Sequence, residues 1–82
     1  MEHPYIGEIA LFAFDWAPEG WVKCDGRKLS IDNYDTLFFL IETQYGGDGV
    51  KTFAVPDLRF AAVQSPSGKT LNYFIATEGI FP

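Results

Sequence analysis

From Gly7 to Phe14 the chain reads GEIALFAF. Ile9, Leu11 and Ala13 alternate with Glu8, Ala10, Phe12 and Phe14, which predicts a strand over 7–14, apolar on both faces toward its end. Asp15 stops it, and Trp16-Ala17-Pro18-Glu19-Gly20 reads as a turn from its proline and glycine. Trp21 to Cys24 alternates again and predicts a second strand. Asp25-Gly26 is a strong hairpin signal, so a short return strand is expected over 27–29. Tyr34, Leu37, Phe38 and Ile41 follow the i, i+3, i+4, i+7 spacing of one apolar stripe. They predict a helix over about 31–43, with Ser30 or Asp32 as its N-cap and Gly46 or Gly47 as its C-cap. Leu71 to Thr77, LNYFIAT, is β-rich and alternating, and suits the middle of a sheet. Ile80 and Phe81 close the chain and are expected to tuck in.

Between helix and last strand lies the stretch on which the chain is organised, QYGGDGVKTFAVPDLR from Gln44 to Arg59. Gly46, Gly47 and Gly49 supply backbone freedom, and Pro56 holds Val55 extended. The expected result is a long shaped loop over 44–59, with short extended pieces at 53–55 and 58–60, covering the helix end and the sheet edge. Arg59 is the candidate for a structural ion pair, with Asp48 or Asp57 as partner, or for hydrogen bonds to loop carbonyls, since a guanidinium has several donors at once. Gln64 to Lys69 reads as a surface loop. The whole predicts a single α+β domain, 1–82: a small antiparallel sheet from residues 7–14, 21–24, 27–29 and 71–77, one packed helix, a long glycine-rich loop, and the final strand completing the sheet.

The five consecutive apolar residues Leu37 to Ile41 change this picture, because Phe39 and Leu40 fall outside the stripe. Such a helix is covered on more than one side, by its own sheet and by a loop or a neighbouring subunit. Eight Phe, four Tyr and two Trp in 82 residues make a heavy aromatic load for a chain whose size limits its core. Phe39, Leu40, Trp16 and Trp21 are therefore candidate interface residues.

Charge and candidate chemistry narrow the function. A net charge of −5, with six scattered basic residues, excludes a nucleic-acid partner of the phosphate-binding kind. No apolar run approaches the roughly 18 residues of a membrane span, so no membrane insertion is expected. Met1-Glu2-His3 is not basic and Pro4 follows at once, so no signal peptide is expected. Gly46 to Thr52 has glycines near Lys51-Thr52, but a phosphate loop needs the lysine directly after a glycine and a helix next; Val50 intervenes and Pro56 forbids the helix. Asp25, Asp48 and Asp57 lack the alternating spacing of a calcium loop and each has a turn or capping explanation. Cys24 precedes a turn and reads as a small core residue, and His3, the sole histidine, as exposed. Nothing singles out a catalytic carboxylate pair. No catalytic residue, metal ligand or cofactor is expected, and the chain reads as non-enzymatic. Trp16 and Trp21, flanking a turn, are expected mainly as packing anchors; with Tyr45 they would alternatively form a small carbohydrate- or cell-surface-binding site.

Gly7-Glu8-Ile9, Phe12-Ala13, Ala17-Pro18-Glu19-Gly20-Trp21, Cys24-Asp25-Gly26, Leu29-Ser30-Ile31, Leu37-Phe38, Tyr45-Gly46-Gly47-Asp48-Gly49, Thr52-Phe53 and Pro56-Asp57-Leu58-Arg59 resemble, in order and spacing, the phage tail collar domain family, a pattern also found in microcystin-dependent-like proteins. Leu71 to Ala76, with Gly79 to Pro82, resembles the family's C-terminal strand. In long members an insertion separates that strand from PDLR and usually begins Gly-Arg; here Phe60-Ala61 follows, and only Phe60 to Thr70 intervenes. The resemblance implies a short form without the insertion, and without the receptor contacts and metal-bound head attributed to it. It further implies a structural role among other tail or fibre proteins at the baseplate, as a homo-oligomer, a trimer by analogy. The expected location is a virion or phage-tail-like particle, and the cytoplasm before assembly. A trimmed remnant in which Gln64 to Lys69 replaces the insertion is a further reading.

Overall fold

The computed structural model describes residues 3–82. Met1 and Glu2, read above as the start of a chain without a leader, lie outside them. The described elements are β1 (Ile9–Phe12), β2 (Trp21–Lys23), β3 (Lys28–Ser30), α1 (Asp35–Ile41), β4 (Thr52–Ala54), a 3-10 turn (Arg59–Ala61), β5 (Val63–Gln64) and β6 (Thr70–Ala76). The arrangement is α+β with antiparallel sheets, as the pattern predicts.

The last strand is the centre of the main sheet. β1 pairs along it with Ile9 opposite Ile75 and Phe12 opposite Asn72. β2 pairs with its far end, Trp21 opposite Ala76 and Lys23 opposite Phe74. β5 pairs with its start across a tight Ser65–Lys69 turn that carries a 2.8 Å bond from the Ser65 N–H to the Lys69 carbonyl. The expected surface loop over 64–69 is thus a hairpin tip. Because side chains alternate across a strand, this register puts Val22, Tyr73 and Ile75 on one face and Phe12, Trp21 and Phe74 on the other. The first face meets α1 and the second sheet: Val22, Cys24, Leu29, Leu37, Phe53, Val55 and Ile75 form one buried cluster. Phe53, Leu37 and Val55 are fully buried, each contributing about 1.5–3 kcal/mol.

The expected 21–24/27–29 hairpin does not form. β3 leaves the main sheet and pairs instead with β4, Leu29 opposite Phe53. A turn at Asp25-Gly26 would set Lys28 against Lys23, an unfavourable like-charge pair. Pairing with β4 instead buries Leu29 against Phe53. The 44–59 segment is accordingly no continuous loop: its apolar run FAVP is strand and core, with Phe53 through Pro56 all buried. Of the expected pieces, 53–55 is extended, while 58–60 runs into the 3-10 turn.

The helix is shorter than its periodicity suggests, seven residues rather than thirteen. Ser30 is committed to β3, opposite Thr52, and the Ile31 N–H to the Lys51 carbonyl, so neither is free to start a helix. Tyr34 takes the N-cap position without a side-chain bond, so neither Ser30 nor Asp32 caps it. At the other end Glu42, at φ 51°, stops the helix, its N–H bonding the Phe38 carbonyl at 2.7 Å, well before Gly46 or Gly47. A single helix this short has no stability of its own; burial of Leu37 holds it in place. The apolar stripe is placed as expected, with Tyr34, Phe38 and Ile41 packed against the buried cluster.

The chain ends are joined. The Ile80 N–H bonds the Pro4 carbonyl at 2.8 Å, and the Ile6 N–H bonds the Ile80 carbonyl at 2.9 Å. The backbone of the last residues is therefore tied down, but their side chains do not tuck in: Ile80 and Phe81 are exposed.

Candidate functional site

Asp48 organises the glycine loop from within. Its Oδ1 accepts the N–H groups of Val50, Lys51 and Thr52 at 2.9, 2.9 and 3.0 Å. Its own N–H donates to the Thr52 hydroxyl. These donors, Thr52 first, hold its carboxyl well below the usual carboxylate range. A cradle of successive N–H groups is what a phosphate loop offers an anion; here the chain's own carboxylate fills it. Gly47 shapes the other wall. At φ 96° it sits where L-residues are strained, and a Cβ there would collide with the Phe53 backbone. Gly46 donates to the Thr43 carbonyl, and its own carbonyl accepts from Ala54 at 3.0 Å, stitching the loop to β4.

Arg59 turns to Asp57, not to the glycine loop. Its Nε and Nη2 donate to the two Asp57 oxygens at 2.9 and 2.7 Å, and its N–H adds a third bond. This fork, above all the guanidinium, lowers Asp57 to about 2. The expected bonds to loop carbonyls are absent among the described residues, and of the two candidate partners it is Asp57, not Asp48, that pairs. The same clip recurs at Asp25, whose oxygens accept from Arg27 Nε and Nη2 at 3.0 and 2.8 Å. Asp25 and Asp57 face each other across an antiparallel bridge, flanked by bonds from Gly26 to the Pro56 carbonyl and from Leu58 to the Cys24 carbonyl. The backbone bridge thus joins the chain just before β3 to the chain just after β4, and each side of it carries its own Asp-x-Arg clip. Sequence reading missed Arg27 and this pairing. The signal was the repeated spacing in Asp25-Gly26-Arg27 and Asp57-Leu58-Arg59.

The candidate interface residues separate. Phe39 projects from α1 with 68 % of its surface exposed, and its ring meets that of Phe81 at 5.9 Å. Together with Asp35 and Thr36 they line one shallow apolar hollow. Leu40 is half-buried and directed toward the turn at Gly7. Phe81 is the contribution the sequence did not reveal, because its neighbour is set by the joining of the chain ends. On the opposite face of the main sheet, Trp21 packs edge-on against Phe12 at 5.0 Å, as an anchor should. Trp16 stacks on Phe14 at 4.5 Å yet remains 65 % exposed; it caps a ring cluster and anchors no core. Among the described residues no ring contact joins Tyr45 to either tryptophan.

The remaining candidates are structural. Cys24 is 2 % exposed; burial, then the neighbouring Asp25 charge, pushes its thiol up to about 11, which disfavours the thiolate needed for nucleophilic work. His3 is exposed. Among the described residues, no three of the His, Cys, Asp and Glu side chains gather as a metal site would require, and no helix is long and apolar enough to cross a membrane.

A family model described as Phage Tail Collar Domain matches residues 7–63, which runs from before β1 to the first residue of β5 and includes both Asp-x-Arg clips and the glycine loop. A comparison with curated proteins finds no match.

Proposed function

We propose, from the premise that this chain belongs to the phage tail collar domain family, that it is a non-enzymatic structural module of a phage tail or tail-fibre-like particle and works by protein–protein contact. The family is a structural one of phage tails, which makes other tail proteins the natural partners. The observation that carries the reading is the uncovered outer side of α1. A seven-residue helix that buries Leu37 on one side and leaves Phe39 against Phe81 in solvent is half of an interface. The shape supports it: the radius of gyration is 13.0 Å, against about 12 Å for a compact domain of this length. A slab with extents of 43 × 28 × 17 Å has little depth in which to hide fourteen aromatic rings.

The partner this face fits best is a second copy, in a symmetric oligomer that family analogy makes a trimer. Baseplate incorporation follows assembly in the cytoplasm. Sedimentation velocity tests this: the wild-type chain sediments as an oligomer at high micromolar concentration, and Phe39→Asp sediments as a folded monomer. A wild-type chain that stays monomeric over that range overturns the reading.

A further inference from the structure

A column of rings rises from the face of the main sheet opposite α1. Phe74 is fully buried at its base. Phe12 tilts on Phe74 at 5.4 Å, Phe14 stacks on Phe12 at 5.3 Å, and Trp16 stacks on Phe14 at 4.5 Å. The column ends in solvent, so one face of the Trp16 indole is supported and the ring stands presented. A ring already held by stacking loses little further freedom when a ligand covers it.

Beside the column is a cleft of about 420 Å³, lined by Phe14, Asp15, Lys69, Thr70 and Asn72, within the range of small-ligand sites. Its polar groups are oriented. Asp15 Oδ1 accepts from Lys23 Nζ at 2.6 Å and, at the limit of bonding distance, from the Asn72 amide at 3.5 Å. The second Asp15 oxygen, the Asn72 side-chain oxygen and the Thr70 hydroxyl have no side-chain partner among the described residues. An apolar partner would leave these groups unsatisfied; Asp15 is already paired with Lys23 and Lys69 lies at the exposed rim, so the site is matched by hydrogen bonding rather than by charge. A pyranose satisfies both halves of the site. Its C–H face covers an aromatic ring, and its hydroxyls each donate and accept at the edge.

We propose that this cleft, together with the Trp16 indole that stacks on its Phe14 wall, binds a neutral hexose unit of a glycan. The site differs from the Trp16, Trp21 and Tyr45 grouping expected from sequence, since Trp21 packs edge-on against Phe12 and neither Trp21 nor Tyr45 lines the cleft. It goes beyond the assembly role and does not rest on it.

The test is ¹H–¹⁵N correlation NMR of the full chain, titrated with the methyl glycosides of glucose, galactose and mannose and with N-acetylglucosamine. At least one probe produces saturable shifts at the Trp16 indole N–H, the Asn72 side-chain amide and Thr70. Trp16→Ala and Asp15→Ala, both at exposed positions and both checked for a native spectrum, weaken binding by about tenfold or more, whereas Tyr45→Ala binds as the wild type. Absence of saturable shifts with all four probes, or shifts centred on Tyr45, overturns the site. Sedimentation of Trp16→Ala is measured alongside: loss of sugar binding with the oligomer intact supports the proposal, and loss of both assigns Trp16 to a subunit contact and overturns it.

Discussion

At the scale of single residues, the glycine loop owes its shape to one carboxylate and one missing side chain. Asp48 and Asp57 both have folded-state pKa values depressed below 3.8, Asp57 to about 2. A depressed carboxylate stabilises the fold above its unfolded pKa, and that contribution disappears as pH falls through the folded value. Thermal midpoints followed by circular dichroism are therefore expected to be flat from neutrality to about pH 5 and to fall progressively below pH 3.8. Asp48→Asn keeps an acceptor but loses the titration, and makes that fall shallower. Gly47 is tested against Gly68, which has a similar φ of 89° but nothing within 4 Å of where a methyl group would stand. Gly68→Ala costs about 1–2 kcal/mol of backbone strain. Gly47→Ala carries the same strain plus the Phe53 collision and costs measurably more in urea denaturation. Cys24, buried with a raised thiol pKa of about 11, is expected to react with a thiol reagent at mildly alkaline pH only as fast as the protein opens.

At the scale of elements, legibility followed the range of the interactions involved. The final strand was readable because alternation and β-branching are local, and a seven-residue strand paired on both sides, β6, expresses them directly. The apolar stripe of α1 was readable for the same reason. The partner of β3 was not. Asp25-Gly26 is a sound local hairpin signal, and it lost to the pairing of Leu29 with Phe53, twenty-four positions away in sequence. The helix bounds were misread because Ser30 and Ile31 commit their backbone groups to Thr52 and Lys51, which no capping rule sees. In the candidate site, Asp57–Arg59 was legible as an ion pair, while its twin at Asp25–Arg27 becomes meaningful only once the bridge between them is known. The weight placed on β4 has a direct consequence. Phe53→Ala, which opens a cavity between the second sheet and α1, is expected to cost about 3–5 kcal/mol by chemical denaturation, a large part of the stability of a chain this short.

At the scale of the whole molecule, the fold leaves two aromatic surfaces on opposite sides of the main sheet. One, Phe39 with Phe81, projects beside the joined chain ends and is the proposed contact between copies. The other, ending at Trp16, adjoins an oriented polar cleft. Their polar borders differ: Asp35 and Thr36 line the first hollow, while Asp15, Lys69, Thr70 and Asn72 line the second. Charge placed on α1 also discriminates between neighbours: Phe39→Asp is expected to abolish association with little loss of stability, whereas Leu40→Asp, half-buried near Gly7, lowers both. The most direct measurement is photo-crosslinking with benzoylphenylalanine placed at Phe39, compared with the same group at the exposed Lys28. Covalent oligomers of discrete size from position 39, and none from position 28, are the predicted result. Equal or absent crosslinking from the two positions would contradict assembly through the outer side of the helix.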